Sequence, residues 1–431
     1  MTGLIAGLKK IPLAAAANAR LKAWLVERDA VATRNQYLEE ASRRGLVAPE
    51  GSELQAMLAY RIAGRKASLG WPKRLGDLHL FLAYPLCNWE AVLPKALSPF
   101  GEVSAFEWRS LGFDDSAPDW LDRRDLMNQA LLQAFAAANR RRPVDVVVGY
   151  LSGTTVDPAI LREMAAQGAV ITNFCFDDKI HWPGEIRGGR YTSTAGIAHA
   201  VDLNLTYDPH GMGRYFVHGG LSAFHAEAAD PDSYKPLDVP FEYDVSFIGA
   251  CYGWRPKLVE GLRRSGIRVE CFGRGWPNGS IANDNMNGIY ARSRINLGCG
   301  GIGYSKNLLC LKGRDFEVPM SGALYLTQNN PELSMVFEVG REILTYDDVE
   351  DCADVIRAIL KDEDRASGIR AAARARCLKD HTYTARWTTV FTALGALTPL
   401  SGGGNTLIAL DRLRRVDAAH RESLAEKDSS K

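Results

Sequence analysis

Short apolar runs alternate with amphipathic stretches along most of the chain, beginning near Asp77. Runs such as DLHLFLAY, VDVVVGY and AVITNFCF have the length and composition of buried strands, and segments such as LMNQALLQAFAAANR repeat apolar residues at helical spacing. This alternation is typical of βαβ units, in which helices cover both faces of a parallel sheet. A second series begins at YDVSFIGA. The sequence therefore predicts an α/β fold of two doubly wound, Rossmann-like domains whose strand ends face a cleft.

The same pattern predicts the domain boundaries. Residues 222–242 contain three prolines and no apolar period, which is typical of a linker. The segment before the first strand has helical spacing and predicts a helical N-terminal extension. The predicted organisation is the extension at 1–75, a first domain at 76–221, the linker at 222–242, a second domain at 243–380, a last helix at 381–400 and a flexible tail at 401–431.

Composition excludes several classes of partner. Lys and Arg total 52 against 51 Asp and Glu, so the net charge provides no general attraction to nucleic acid, and we expect no nucleic-acid partner. The eight cysteines are scattered without a C-x-x-C pair, which indicates buried thiols in a reducing compartment. We therefore expect a cytoplasmic protein with no metal ion and no cofactor.

The apolar stretch of the N-terminal segment MTGLIAGLKKIPL is too short for a signal peptide or a membrane span. The helical spacing of residues 1–70 predicts an arm that packs on the main body or on a second copy of the chain. The alternative is peripheral contact with the inner membrane, because Leu4, Ile5, Leu8 and Ile11 share one helix face beside Lys9 and Lys10.

A strand, a glycine turn and a helix open the second series in FIGACYGWRPKLVEGL. Gly249 and Gly253 lie in the turn, and Pro256 suits the first turn of the helix. The N-terminus of a helix attracts anions, and Arg255 and Lys257 add full positive charges there. A diphosphate site is one interpretation of this motif, and a solvated first helical turn is the other.

Two further glycine-rich segments follow predicted strands. FGRGWPNG contains Gly273 and Arg274 but lacks the spacing of the dinucleotide fingerprint, so we reject an NAD site and retain a loop that admits a flat base. NLGCGGIGYSKN carries four glycines together with Tyr304 and Lys306. Such a loop brings backbone N–H groups close to a ligand, while an ordinary flexible turn is the alternative.

The stretch KGRDFEVPMSGALYLT at 312–327 predicts a short helix over 315–321, followed by a buried strand. Glu317 lies in the first turn, where a carboxylate interacts favourably with the helix dipole by about 0.3–1 kcal/mol. The functional interpretation is that Glu317 accepts hydrogen bonds from the hydroxyl groups of a ribose, with Lys312 and Arg314 on the phosphates.

In the first domain, the sequence FDDKIHW completes and follows the strand AVITNFCF. Asp177, Asp178 and His181 are therefore expected at the carboxyl end of a strand, where open α/β sheets bind their ligands. Side chains of these types can act as a general base on an acceptor hydroxyl. A helix cap or a turn is the alternative interpretation of the Asp-Asp pair.

Taken together, the motifs of the second series and the segments MNGIYARSRINLG and HTY resemble the CgeB-like glycosyltransferases. The resemblance covers residues 243–390 and implies the two-domain GT-B fold and metal-independent use of nucleotide sugars. It implies that Glu317 holds the donor ribose and that Arg255 and Lys257 approach the diphosphate. Related retaining enzymes have a second glutamate eight positions earlier, where this chain has Leu309. The final helix is expected to cross back to the first domain.

The sequence thus predicts a hexosyltransferase-like enzyme that moves a sugar from a nucleotide-diphosphate donor to a glycan, lipid-linked or protein acceptor. The alternatives are a non-catalytic module that binds nucleotide sugars, a scaffold component of a surface-glycan assembly, and a sugar-nucleotide epimerase of the same fold. The predicted donor-binding residues are Gly249, Arg255, Lys257, Gly273, Arg274, Tyr304, Lys306, Lys312, Arg314 and Glu317.

Overall fold

The structure is a computed structural model that describes residues 12–87, 89–187 and 189–399. The tail predicted at 401–431 and the N-terminal segment considered for membrane contact lie outside the described residues. The described chain divides into two compact units. We call residues 34–226 with 383–399 the first lobe, and residues 12–33 with 227–382 the second lobe.

The first lobe contains a six-stranded sheet and a separate two-stranded ribbon. Its strands are β1 (Leu78–Tyr84), β2 (Gly101–Glu107), β3 (Val146–Gly149), β4 (Val170–Cys175), β5 (Ile186–Arg187), β6 (Arg190–Tyr191), β7 (Leu203–Thr206) and β8 (Ser222–Phe224). Its helices are α1 (Pro12–Arg43, from residue 34 onward), α2 (Gly51–Ser68), α3 (Leu93–Leu97), α4 (Trp120–Arg141), α5 (Pro158–Ala166), α6 (Asp178–His181) and α7 (Met212–Val217).

All six strands of this sheet are parallel, in the order β2-β1-β3-β4-β7-β8. The helix α4 buries Met127, Leu131 and Phe135, which follow one another at four-residue spacing, in the core formed with the sheet. Phe81 of β1 meets the ring of Phe135 edge-on at 5.5 Å. Burial of each such side chain stabilises the fold by about 1.5–3 kcal/mol. The predicted βαβ pattern of this half of the chain is therefore confirmed.

The second lobe contains a five-stranded sheet. Its strands are β9 (Tyr243–Ile248), β10 (Glu270–Phe272), β11 (Ser293–Leu297), β12 (Tyr325–Gln328) and β13 (Leu344–Tyr346). Its helices, besides the first part of α1, are α8 (Arg255–Arg264), α9 (Asn283–Ala291), α10 (Arg314–Met320), α11 (Val349–Ile359) and α12 (Glu363–Asp380).

These five strands are also parallel, in the order β10-β9-β11-β12-β13. Phe247, Leu258 and Ile356 lie in one core that joins the sheet to α8 and α11. The strand order reverses between the neighbours β9 and β11, because the chain goes to one side after β9 and to the other side after β11. Open α/β sheets bind ligands beyond the carboxyl ends of the strands at such a switch point.

The chain returns to the first lobe through α13 (Tyr383–Ala393). Trp387 of this helix meets Phe174 edge-on at 6.0 Å, and Phe391 meets Phe100 at 4.9 Å. Aromatic contacts of this geometry are favourable beyond simple burial, so α13 is a packed part of the first lobe.

Two segments differ in structure from the sequence pattern. The first three residues of the predicted linker form β8, and 225–242 contain neither helix nor strand. A three-residue strand is too short to produce a recognisable apolar period. In the predicted N-terminal extension, residues 12–33 are grouped with the second lobe. Among the described residues, no helix is both long enough and apolar enough to cross a bilayer.

Candidate functional site

A pocket of about 520 Å³ lies at the carboxyl edge of the second-lobe sheet. Its volume is in the range of about 300–1,000 Å³ that is usual for small-molecule sites. The loops after β9 and β11 both contribute to it, which places it at the switch point of the sheet. The lining residues are Gly253, Trp254 and Lys257 after β9, Tyr304, Lys306 and Asn307 after β11, Gln328 of β12, Asp347, Asp348, Val349 and Glu350 after β13, and Ala19, Arg20, Ala23, Trp24 and Glu27 of α1.

Arg255 and Lys257, the two cations after β9 that are predicted to bind a diphosphate, differ in their exposure. Lys257 is exposed and lines the pocket. Arg255 is only 6% exposed, and its guanidinium lies 4.4 Å from the ring centroid of Tyr252. It also donates a hydrogen bond to the carbonyl oxygen of Ala250 at 3.1 Å. Arg255 therefore stabilises the turn from inside, while Lys257 is available to a ligand.

The glycine-rich segment after β11 is an ordered hairpin, which we call the hairpin 300–310. The amide of Cys310 donates to the carbonyl oxygen of Gly300 at 3.1 Å, and the amide of Ile302 donates to that of Leu308 at 3.0 Å. The sequence left open whether this segment is a flexible turn or a ligand loop. Its backbone pairing shows that the backbone of the segment has a defined conformation up to its tip.

The tip of this hairpin carries two predicted site residues. Gly303 and Tyr304 have successive positive φ angles of 57° and 72°, the feature of a type I′ turn. A bulky residue rarely adopts this conformation, which is more common at functional sites. The Tyr304 ring meets Tyr252 edge-on at 5.6 Å. Lys306 is exposed, and its carbonyl oxygen accepts a hydrogen bond from the side-chain amide of Gln328 at 2.6 Å.

Two enclosed polar atoms of lining residues have no hydrogen-bond partner among the described residues. These are Oε1 of Gln328, whose side chain is 7% exposed, and the indole Nε1 of Trp254. Buried polar atoms are paired in the great majority of cases. One acceptor and one donor are therefore left unpaired in residues that line the pocket. The sequence analysis singled out neither residue: Trp254 lies within the motif FIGACYGWRPKLVEGL beside the charged residues that drew the prediction, and Gln328 belongs to no recognisable motif.

Acidic residues line the pocket after β13. Asp348 is the N-cap of α11, and its Oδ1 accepts a hydrogen bond from the amide of Asp351 at 2.9 Å. Asp347 and Glu350 are exposed beside it. The pocket therefore combines the cations after β9 and β11 with carboxylates after β13.

Glu317 lies in α10, which begins at Arg314, one residue before the predicted start. Oε2 of Glu317 accepts a hydrogen bond from the hydroxyl of Tyr290 at 3.1 Å. Burial raises the pKa of Glu317, against the opposing effects of Arg314 and of hydrogen bonds from Tyr290 and Tyr234. The carboxylate thus belongs to a largely enclosed polar cluster.

Asp315 completes this cluster and was not singled out from the sequence. It accepts hydrogen bonds from the hydroxyl of Tyr325 at 2.9 Å and from the amide of Lys312 at 2.8 Å. Burial raises the pKa of Asp315 to about 6. The ammonium of Lys312 lies 2.9 Å from Sγ of Cys310. Nε of Arg314 is enclosed and has no hydrogen-bond partner within the described part of the chain.

The loop after β10 contains two more of the predicted donor-binding residues, Gly273 and Arg274. The amide of Gly273 donates to the carbonyl oxygen of Gly279 at 2.6 Å, and a Cβ on Gly273 would lie 2.4 Å from the carbonyl oxygen of Gly249. The carbonyl oxygen of Arg274 accepts from the amide of Cys251 at 2.9 Å. These contacts join the loops after β9 and β10, and neither Gly273 nor Arg274 lines the pocket.

In the first lobe, the acidic pair follows β4 as the sequence indicates, but its members differ in exposure. Asp177 is exposed and precedes α6, while Asp178 is 1% exposed. The hydroxyl of Tyr215 donates to Asp178 at 2.6 Å. Burial raises the pKa of Asp178, with Arg214 opposing and Asp208 reinforcing the increase.

The third predicted catalytic residue, His181, is the last residue of α6, and its side chain lies outside the described part of the structure. The described residues also contain no group of three or more His, Cys, Asp or Glu side chains arranged to hold a metal ion. Metal independence of the chemistry stays a prediction.

Comparison with known proteins identifies the fold. Residues 255–392 match a family described as glycosyl transferase-like. A search of curated proteins found no match. Among solved structures, sucrose-phosphate synthase from Thermosynechococcus elongatus is similar at a TM-score of 0.52 and 11% identity, over 74% of this chain and 99% of that chain. HepE from Anabaena in complex with UDP-glucose is similar at a TM-score of 0.52 and 10% identity, over 74% of this chain and 100% of that chain.

These similarities confirm the predicted fold class, an α/β protein of the GT-B type with N-terminal helices. At such low identity they concern the fold alone. The family match does not test the resemblance to the CgeB-like group, and membership of that group stays a prediction.

Proposed function

We propose that the protein is a glycosyltransferase that binds a nucleotide-diphosphate sugar in the pocket of the second lobe and transfers the sugar to an acceptor hydroxyl. The observation that carries this proposal is the position of the pocket. It lies at the switch point of a GT-B lobe, and the residues from 255 onward match the glycosyl transferase-like family. The resemblance of the same motifs to the CgeB-like glycosyltransferases supports a nucleotide-diphosphate sugar as the donor.

The diphosphate of the donor is assigned to the side of the pocket that carries Lys257 and Lys306. Both ammonium groups are on exposed side chains, and Lys257 lies in the first turn of α8, whose N-terminal N–H groups favour an anion. Charge-assisted hydrogen bonds to phosphate oxygens are about twice as strong as neutral ones. Two cations beside the diphosphate would also stabilise it as it leaves, without requiring a metal ion.

The uncharged parts of the donor are assigned to the remaining walls. The aromatic side chains of Trp254 and Tyr304 suit a base or a sugar ring. The carboxylates of Asp347 and Glu350 can accept hydrogen bonds from sugar hydroxyls.

Glu317 is the proposed ligand of the ribose. Its Oε2 is bonded by Tyr290, while its Oε1 lies only 3.1 Å from the position that a Cβ on Gly313 would occupy. Oε2 of Glu227 lies still closer to that Cβ position, at 2.7 Å, so Gly313 lets two carboxylates approach the start of α10. Arg314, whose Nε is enclosed without a partner among the described residues, is the adjacent candidate for a phosphate or ribose oxygen.

Activation of the acceptor is assigned to Asp177 in the first lobe. Its exposure at the carboxyl end of β4 suits a general base, whereas the buried Asp178 accepts a hydrogen bond from Tyr215 and supports the loop. The acceptor is a glycan, a lipid-linked glycan or a protein, and we expect transfer in the cytoplasm.

We also propose that the protein makes peripheral contact with a membrane. On α1, Leu21 and Leu25 are exposed, 53% and 38% respectively, and the exposed cation Arg28 lies one turn beyond Leu25. Apolar and basic residues together suit an anionic interface. Cosedimentation with anionic phosphatidylglycerol vesicles should exceed that with phosphatidylcholine vesicles; equal, negligible binding to both would argue against it.

The function is tested by incubating the protein with a panel of nucleotide sugars and measuring release of the nucleoside diphosphate. We expect slow release from one donor, accelerated by extracts that contain the acceptor glycan. Lys306→Ala should reduce this release, and Lys361→Ala, an exposed lysine outside the pocket, should not. Failure of every donor to bind or react with the folded protein would overturn the proposal.

A further inference from the structure

The N-terminal helix α1 contacts the hairpin 300–310 through three of its side chains. Oε1 of Glu27 accepts hydrogen bonds from the hydroxyl of Ser305 and from the side-chain amide of Asn307, the latter at 3.2 Å. The ammonium of Lys22 lies 4.9 Å from the ring centroid of Tyr304. This part of α1 and the hairpin 300–310 both belong to the second lobe. This part of α1 is therefore in contact with the hairpin tip that lines the pocket.

The third contact explains one glycine of the hairpin. A Cβ on Gly303 would lie 2.7 Å from a methyl group of Val26, closer than side chains normally approach. The glycine therefore allows α1 to lie directly against the tip, in addition to supplying its positive φ angle.

Ser305 is the link between Glu27 and the shape of the tip. Its side chain is 1% exposed, and its hydroxyl accepts hydrogen bonds from the amides of Asn307 at 2.9 Å and Leu308 at 2.8 Å. A hydroxyl has two acceptor positions and one donor hydrogen. The two amides occupy both acceptor positions, so the hydrogen must point elsewhere, and it is donated to Glu27. The carboxylate of Glu27 thus completes the hydrogen bonding that holds the tip.

We propose that Glu27 is a positioning residue of the donor site, which fixes the tip of the hairpin 300–310 so that Tyr304 and Lys306 face the pocket. This inference rests on the proposed function, because it assigns a role in donor binding to a residue of the N-terminal helix. Arg20 and Trp24 of the same helix also line the pocket. The N-terminal helix is accordingly a component of the donor site, and not a separate arm.

The test compares the full-length wild type with Glu27→Ala, Glu27→Gln and Asp29→Ala. Glutamine keeps an acceptor oxygen for Ser305, and Asp29 is an exposed acid on the same helix that does not line the pocket. Two quantities are measured for each variant. One is the calorimetric affinity for UDP, GDP, ADP and dTDP, and the other is hydrogen exchange in peptides that cover 302–310.

We expect Glu27→Ala to weaken binding of the preferred nucleoside diphosphate by roughly tenfold, as small displacements of site groups commonly do. Exchange at the amides of Asn307 and Leu308 should rise in the same variant. Glu27→Gln should restore affinity to within about threefold of the wild type, since the acceptor oxygen is retained. Asp29→Ala should match the wild type in both measurements.

The outcomes separate this inference from the proposed function. If the wild type binds a nucleotide and Glu27→Ala binds it equally well, the positioning role is overturned while the proposed function stands. Unchanged exchange over 302–310 in Glu27→Ala would also overturn the positioning role. If the wild type binds none of the four nucleotides, the proposed function fails, and with it the donor role of Glu27. Increased exchange would then establish only that Glu27 holds the hairpin.

Discussion

The side-chain amide of Gln328 donates a hydrogen bond to the carbonyl oxygen of Lys306 at 2.6 Å, and so joins the end of β12 to the tip of the hairpin 300–310. The other polar atom of this side chain, Oε1, is enclosed without a partner in the described part of the chain. One residue therefore fixes the backbone beneath a pocket lysine and keeps an unpaired, enclosed oxygen next to it.

Gln328→Met should weaken nucleoside diphosphate binding by roughly three- to tenfold, because it removes the hydrogen bond that holds the backbone of Lys306 at the hairpin tip. Stability should change little, since the lost hydrogen bond, about 1 kcal/mol, is offset by removal of an unpaired buried oxygen. Calorimetry and urea unfolding measure the two effects. Wild-type affinity in this variant would show that Gln328 does not act in the site.

Lys257→Ala and Lys306→Ala should each lower the affinity for the nucleoside diphosphate by roughly tenfold, because each removes a charge-assisted hydrogen bond. The dependence of affinity on salt concentration should also become weaker. Lys361→Ala is the matched control, as it removes an exposed lysine that does not line the pocket. Equal affinities for all three variants would place the diphosphate elsewhere.

Replacing glycine by alanine should have opposite effects on stability at Gly298 and at Gly368. A Cβ on Gly298 would lie 2.1 Å from the hydroxyl of Tyr325 and 2.5 Å from that of Thr327, both in buried side chains of β12. Gly298→Ala should therefore reduce the free energy of unfolding by about 1–3 kcal/mol or more. Gly368 lies within α12 with open space around its Cβ position. Gly368→Ala should stabilise the protein by about 0.5–1 kcal/mol. Urea unfolding of both variants checks the contrast, and destabilisation by Gly368→Ala would contradict it.

The raised pKa of Asp315 should make the stability of the protein depend on pH. Burial raises its folded-state pKa to about 6, above the ordinary value of 3.8, so the folded protein holds the proton more tightly than the unfolded chain. Its contribution therefore favours folding at low pH and is lost as the pH rises from about 4 to about 6. The free energy of unfolding of the wild type should fall relative to Asp315→Asn across this window. A difference that stays constant with pH would contradict the raised pKa.

Asp177→Asn should reduce the rate of sugar transfer by about 100-fold or more if Asp177 is the general base. Donor affinity should be unchanged, because Asp177 belongs to the first lobe and the donor pocket to the second. Asp178→Asn is the neighbouring comparison, since Asp178 is buried against Tyr215. Full transfer activity in Asp177→Asn would remove this residue from the mechanism.

The fold was largely predictable from the sequence, because parallel strands buried on both faces produce continuous apolar runs. The run VVV of β3 and the helical spacing of Met127, Leu131 and Phe135 are examples. The strand β8 was missed because three residues give no period. The predicted helix ahead of β12 is present within one residue of its expected start.

The site was predictable only where a local motif marks it. Lys257, Tyr304 and Lys306 line the pocket and follow strands in recognisable glycine turns. The contact of Glu27 with Ser305 joins residues 278 positions apart, and no local pattern encodes such a pair. Arg255 was assigned to the ligand because its charge is visible in the sequence, whereas its packing on Tyr252 is not.

The central claim is that the second-lobe pocket binds a nucleotide diphosphate, and thermal unfolding with a panel of nucleoside diphosphates and nucleotide sugars tests it most directly. A ligand at about 100 times its dissociation constant should add about 2.7 kcal/mol of stability to the wild type. We expect this shift with one base, and we expect it to be lost in the Lys257→Ala/Lys306→Ala double variant, which should otherwise melt like the wild type. A shift of equal size in the double variant, or no shift with any nucleotide in the folded wild type, would contradict it.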